Sequence, residues 1–180
     1  MFIGDDEDTE KQRFKLENPG KNELVILGVN PSTARGESKS FPAGKTCDDQ
    51  TIKIVKGFAE GNWNSPDIKF DGFLMLNVCA QSTSNPRNLD SNDKLHERNK
   101  EKIKSYLADL SKKQEISVLL AYGNAVENTK KPFLRNYLKD IIEIMKSYGV
   151  KFYHLGDFTK SNNPHHLLHL SYDSEFNLIP

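Results

Sequence analysis

The chain has no stretch of about 18 consecutive apolar residues, so no segment reads as a membrane span. It also has no net charge, since 25 lysines and arginines balance 25 aspartates and glutamates over 180 residues. That balance excludes a protein that coats nucleic acid non-specifically, while a local basic face stays open. Cysteine is scarce. Cys47 and Cys79 make neither a metal-binding spacing nor a disulfide framework, which points to a reducing compartment. The start, Met1-Phe2-Ile3-Gly4-Asp5-Asp6-Glu7-Asp8, lacks the basic residues and apolar stretch of a secretory signal. The expected location is therefore the cytoplasm. There is no internal repeat and no low-complexity linker. One domain over residues 1–180 is the simplest reading, with the acidic, polar residues 1–12 expected to fray.

What is present is an alternation of strand-like and helix-like patterns. Four apolar runs, Leu24 to Val29, Gly72 to Val78, Ile116 to Ala121 and Val150 to Leu155, read as buried strands. Arg13-Phe14-Lys15-Leu16-Glu17 alternates like an edge strand, and Asn18-Pro19-Gly20-Lys21-Asn22 is a turn. A first helix, capped by Asp48 or Asp49, carries Ile52, Val55, Phe58 and Ala59. A second, capped at Asn92-Asp93, has Leu95, Asn99, Ile103, Tyr106, Leu107 and Leu110 on one face. A third carries Leu134, Leu138, Ile141, Met145 and Tyr148. Strands separated by helices imply crossover connections. The expected fold is α/β, a three-layer α/β/α sandwich around a central, mainly parallel four-stranded sheet.

In such a sheet the C-terminal strand ends share one edge, and ligands bind there. Three irregular segments, 31–47, 79–91 and 156–170, emerge at that edge. The strand ends supply Asn30 from the first, Asn77 from the second and Tyr122-Gly123-Asn124 from the third, and the last segment supplies Asn163-Pro164-His165-His166. An asparagine amide offers a donor and an acceptor, which suits the edge of a nucleobase. A histidine can donate to a developing anion or move a proton. Asp48 or Asp49 can orient a water, and Ser32 and Thr33 can meet a phosphate if a helix starts there.

Structural roles compete with each of these. Asn-Pro after a strand is a common turn, so Asn30 is equally a turn residue. Asn77 sits inside an apolar run, where a polar group needs a partner, and pinning a loop would supply one. Asp48 and Asp49 are natural helix caps. Cys79 reads as a small buried apolar residue rather than a nucleophile. His165, His166 and His169 resemble a metal site, but the adjacent pair cannot easily turn both rings to one ion in extended chain, so no metal site is expected. Gly44-Lys45-Thr46 mimics the end of a phosphate-binding P-loop, but the preceding glycine is Gly36 and position 39 is Lys39, which excludes that motif.

Taken in order, these motifs resemble a bacterial and phage family known as domain of unknown function 1643. The matching residues are Gly28 to Ala34, Asp49-Gln50-Thr51, Asn77 to Thr83, Asn92-Asp93, Ala121-Tyr122-Gly123, and Leu155-Gly156 through Thr159-Lys160 to Pro164-His165-His166-Leu167-Leu168. Gln81 stands where that family has arginine, Tyr122 where it has tryptophan, and Leu167 where it has proline. A more distant resemblance is to uracil-DNA glycosylases. It rests on Gly28-Val29-Asn30-Pro31, Leu74-Met75-Leu76-Asn77, Leu119 to Ala125, and Asn163-Pro164-His165-His166 through Ser171. It implies a uracil-DNA glycosylase-like fold, with Asn30 positioning a water and Asn77 reading a base edge. It also implies that His166, or Asn163 in another register, stabilises the departing base.

The candidate catalytic residues are thus Asn30, Asp49 and His166. The candidate ligand-binding residues are Gly28, Pro31, Ser32, Thr33, Asn77, Gly123, Asn163 and His165. No cofactor is expected, and the expected partner is nucleic acid or a nucleotide. The leading expectation is a hydrolase of N-glycosidic bonds in a modified or damaged base. The alternatives are a non-catalytic binder using the same pocket, and a phage-type inhibitor or interaction protein that keeps the fold.

Overall fold

The computed structural model describes residues 2–32, 34–42, 50–59, 69–127, 130–169 and 174–180. Within them lie β1 (Ile3–Gly4), β2 (Leu16–Asn18), β3 (Glu23–Gly28), α1 (Gln50–Ala59), β4 (Gly72–Asn77), α2 (Asp93–Ser111), β5 (Ser117–Leu120), α3 (Phe133–Ser147), β6 (Lys151–Leu155) and β7 (Phe176–Leu178). The fold is α/β. Its single sheet is mixed and seven-stranded, in the order β1-β2-β4-β3-β5-β6-β7.

The four apolar runs form the parallel centre, with β3 paired to both β4 and β5, and β5 to β6. Strands buried on both faces need continuous apolar sequence, and β3 supplies it. Leu24 and Ile26 enter one core with Ile52 and Val55 of α1. Val25 and Leu27 enter another with Ile103 and Leu107 of α2 and Ile141 and Met145 of α3. Helices therefore cover both sheet faces.

The four-strand expectation is corrected by three antiparallel additions, β1 and β2 beyond β4 and β7 beyond β6. Strands β1 and β7 have only two and three residues, too few to show a period of two in the sequence. The segment expected at an edge becomes β2, flanked by β1 outside and β4 inside.

Residues 2–12, expected to fray, are instead packed. Asp8 is 1 % exposed and accepts the backbone N–H groups of Asp5 (3.0 Å) and Phe14 (2.7 Å). Lys102 of α2 bonds Asp5 at 3.1 Å and Glu7 at 2.9 Å, and Tyr106 donates to Asp5. The acidic composition that suggested a solvated tail is matched by cations on α2.

Helix α2 begins as its sequence foretells: the Asn92 side chain accepts the Leu95 N–H at 2.9 Å. Helices α2 and α3 meet through His96, whose ring stacks on Tyr137 at 3.7 Å and bonds Asp140 at 3.0 Å. Asn99, on the inward face of α2, is fully buried. It donates to the backbone carbonyls of Asn77 (3.0 Å) and Val78 (3.4 Å), fixing the end of β4.

Candidate functional site

The parallel strands run in the order β4-β3-β5-β6. The chain goes from β3 to one neighbour, then crosses back to the other side. A crevice opens at such a reversal, beyond the C-terminal strand ends. A cavity of about 410 Å³ lies there. Val29, Asn30 and Ser32 line it after β3, Thr83, Ser84 and Pro86 after β4, Ala121 after β5, and His166 to His169 after β6. Gln50, Thr51 and Ile52, the start of α1, complete the wall. The volume falls in the range of small-molecule sites.

The walls are zipped together past the strands. Val78 N–H donates to Gly28 O at 2.9 Å, Cys79 N–H to Val29 O at 2.8 Å, Thr83 N–H to Pro31 O at 3.0 Å, and Ala121 N–H to Leu27 O at 2.9 Å. Pro31 is buried and lines neither cavity described here, so its part is to hold this zipper.

Asn30 is half-buried in the wall. Its Nδ2 donates to Pro31 O at 2.9 Å and Thr83 O at 2.7 Å. Two carbonyl acceptors fix the amide's orientation and leave Oδ1 on the opposite side as an acceptor. Asn77 is 1 % exposed, and neither its Oδ1 nor its Nδ2 has a hydrogen-bond partner. It lies behind the cavity wall at Gly28, its register partner across the β3–β4 pair. A Cβ added to Gly28 would sit 3.0 Å from Asn77 Oδ1 and 3.5 Å from Met75 Cε. The missing side chain thus leaves room for the Asn77 amide against Gly28, which lines the cavity. An unpartnered buried amide costs on the order of 1–3 kcal/mol.

His166 borders this cavity and a second one of about 740 Å³. Its Nδ1 accepts the Leu168 N–H at 3.2 Å, so the neutral ring carries its proton on Nε2. Gly123 sets the position of this histidine. It adopts φ +61, and a Cβ there would come within 3.1 Å of His166 Cβ. Gly123 and His165 line the second cavity only.

Asn163 lines neither. Its Nδ2 donates to Asn124 Oδ1 (3.1 Å) and Ser161 O (3.3 Å), while its N–H donates to Thr159 Oγ1 (3.2 Å). It organises the segment that delivers His165 and His166. Thr33, Asp48 and Asp49 lie outside the described residues. Of the candidates, then, Gly28, Asn30, Ser32 and His166 meet at the first cavity with Asn77 behind it, while Gly123 and His165 face the second.

Sequence reasoning missed two arginines. Arg13 is 1 % exposed, lines the first cavity, and donates to Ala34 O at 2.7 Å. Arg35 is 5 % exposed and donates to Ser32 O (3.0 Å), Ala34 O (2.7 Å), Glu10 O (3.0 Å) and Ser82 Oγ (2.9 Å). It ties three loops into one wall. Their partners are mostly backbone carbonyls, which carry no sequence signature. Cys79, by contrast, is buried, and burial pushes its thiol pKa up, away from nucleophilic thiolate.

The family model described as Protein of unknown function (DUF1643) matches residues 13–168, so the chain belongs to that family. No curated protein and no solved structure matches it.

Proposed function

We propose that this family member hydrolyses the N-glycosidic bond of a modified or damaged base, held in the first cavity as part of a nucleic acid or nucleotide. The observation that carries this reading is Asn77, a buried amide with a free donor and a free acceptor beside the cavity floor. Such a pair matches the complementary pair on a base edge, and binding would satisfy both. The resemblance of the four strand-end motifs to uracil-DNA glycosylases supports the same reading, as does their convergence at one edge of the parallel strands.

The chemistry follows from the wall. As the bond between the base nitrogen and the sugar C1′ breaks, its electron pair goes to the base and C1′ gains oxocarbenium character. The His166 Nε2–H donates to the charge developing on the base. Asn30 Oδ1 accepts a hydrogen bond from the water that adds to C1′, and the proton that water loses passes through solvent to the departing base anion, which leaves as the neutral base. A base within a duplex would first have to leave the stack.

The test is free-base release, measured by mass spectrometry on single- and double-stranded DNA and RNA and on mononucleotides with normal, deaminated and modified bases. Release that falls by about 100-fold or more in Asn30→Ala, with the fold intact, supports the assignment. Equal release by that variant overturns it.

A second reading uses the same wall, since the Asn30 amide is held in place by Pro31 O and Thr83 O and binding alone needs no general base. A non-catalytic nucleotide or nucleic-acid binder would use the same amides, and ligand would raise its melting temperature without turnover.

A further inference from the structure

The second cavity shares His166 and His169 with the first. Their rings stand 6.2 Å apart at 64° and form a partition between the two spaces. Across the second cavity lies Phe158, which is 38 % exposed although aromatic. One face of its ring stacks on His154 at 4.2 Å, and the exposure leaves the rest of the ring to solvent. Lys160 follows two residues later. It is exposed and forms no ion pair among the described residues.

This wall is built rather than loose. Thr159 N–H donates to Asn163 O at 2.9 Å and Asn162 N–H to Thr159 O at 2.8 Å. Thr159 Oγ1 donates to Asn124 Oδ1 at 2.7 Å, tying the loop to the end of β5. Among the described residues that line the space, Asp157 is the one acid.

The first cavity is already large enough for one small ligand. A second space beside it, with an aromatic face and a cation, is superfluous for a free nucleotide. It suits a chain whose next base needs a stacking surface and whose phosphate needs a positive neighbour. The geometry points to the second cavity as the seat of the nucleotide adjoining the base in the first, so that the ligand is a single-stranded nucleic acid. A neutral protein gains little from a duplex's distributed charge, but stacking on Phe158 does not depend on net charge. This inference rests on the first cavity being a base site.

The experiment is fluorescence anisotropy with labelled single-stranded DNA, and separately RNA, of about a dozen nucleotides, with unlabelled mononucleotides as competitors. The full chain is compared with Phe158→Ala and Lys160→Ala. The oligonucleotide is expected to bind at least about tenfold more tightly than any mononucleotide. Phe158→Ala should erase most of that difference. Lys160→Ala should lower the slope of log affinity against log salt by about 0.7. The DNA and RNA arms show which polymer is preferred. Equal affinity for oligonucleotide and mononucleotide, or no change in either variant, overturns the inference while leaving the base site standing. Binding of neither overturns both.

Discussion

Asn77 and Gly28 stand opposite each other at the ends of two parallel strands, with Asn77 Oδ1 3.0 Å from where a Cβ on Gly28 would be. The glycine lets a buried amide approach the cavity floor. Gly28→Ala places a methyl group against that amide. The near atoms, Asn77 Oδ1 and Met75 Cε, belong to side chains that can shift by a few tenths of an ångström, so the fold should survive. Nucleobase binding should weaken by about tenfold or more, the cost of displacing the recognition group. Calorimetric titration with free bases, alongside a thermal melt, checks this. Unchanged affinity would remove Asn77 from the site.

Asn77→Leu separates stability from function. The native amide is buried with both polar atoms unpartnered. Replacing it with an apolar side chain of the same branched shape removes that desolvation cost. Asn99 binds the backbone carbonyl at position 77, not the side chain, so its bond is unaffected. Stability in urea should rise by about 1–3 kcal/mol while base binding is lost. A destabilised variant that still binds base would mean that the amide has a structural role.

These two residues also mark how far the sequence is legible. Asn77 is visible as a polar residue interrupting Leu74-Met75-Leu76 and Val78, and the four central strands are visible because burial on both faces demands unbroken apolar runs. The convergence of the segments after β3, β4 and β6 follows from parallel topology alone. Strands β1 and β7 are hidden because they are too short for periodicity, while β2 shows only through the alternation of Arg13 to Glu17. Arg13 and Arg35 are hidden because their partners are carbonyls remote in sequence. Asn163 carries the same amide as Asn77, yet its side chain is held by Asn124 and Ser161. Only three-dimensional contacts tell the two apart.

Asp8 gives the protein a pH-dependent term. Burial raises its carboxyl pKa from 3.8 to about 6, with the Asp5 charge adding to the rise. The two backbone N–H bonds and the charge of Arg13 act against it without prevailing. Between those values the folded state holds a proton that the unfolded chain has released. Stability from this group is therefore fully present below pH 3.8 and falls as pH rises to about 6. The change is about 3 kcal/mol at most. Asp8→Asn cannot titrate, so its stability relative to the parent should increase by up to that amount over this window. Chemical denaturation at several pH values measures it, and a difference independent of pH would refute the argument.

Gly123 controls His166 through the backbone. At φ +61 an L side chain costs on the order of 1–2 kcal/mol, and the new Cβ would also press on His166 Cβ at 3.1 Å. Gly123→Ala should lower stability by about that amount and reduce base release by more than the change in folded fraction explains. Parallel urea melts and release rates separate the two effects. A stability loss with normal release per folded molecule would show that His166 tolerates displacement.

Asn30→Asp tests the orientation of the amide itself. Its Nδ2 faces the carbonyl oxygens of Pro31 and Thr83 at 2.9 and 2.7 Å. A carboxylate puts negative oxygen against both, whereas Asn30→Ala merely removes a donor, and Pro31 O keeps its bond from the Thr83 N–H. Stability at neutral pH should therefore fall in the order parent, Asn30→Ala, Asn30→Asp, with about 1–3 kcal/mol between the extremes. The two carbonyls favour the protonated acid, which can donate to one of them, so the introduced group's pKa is raised. The deficit of Asn30→Asp should accordingly shrink as pH falls toward 4, and denaturation midpoints at pH 4 and 7 would show it. If Asn30→Asp matched the parent at pH 7, the amide would not be donating to those carbonyls, and Oδ1 would not be the atom offered to water.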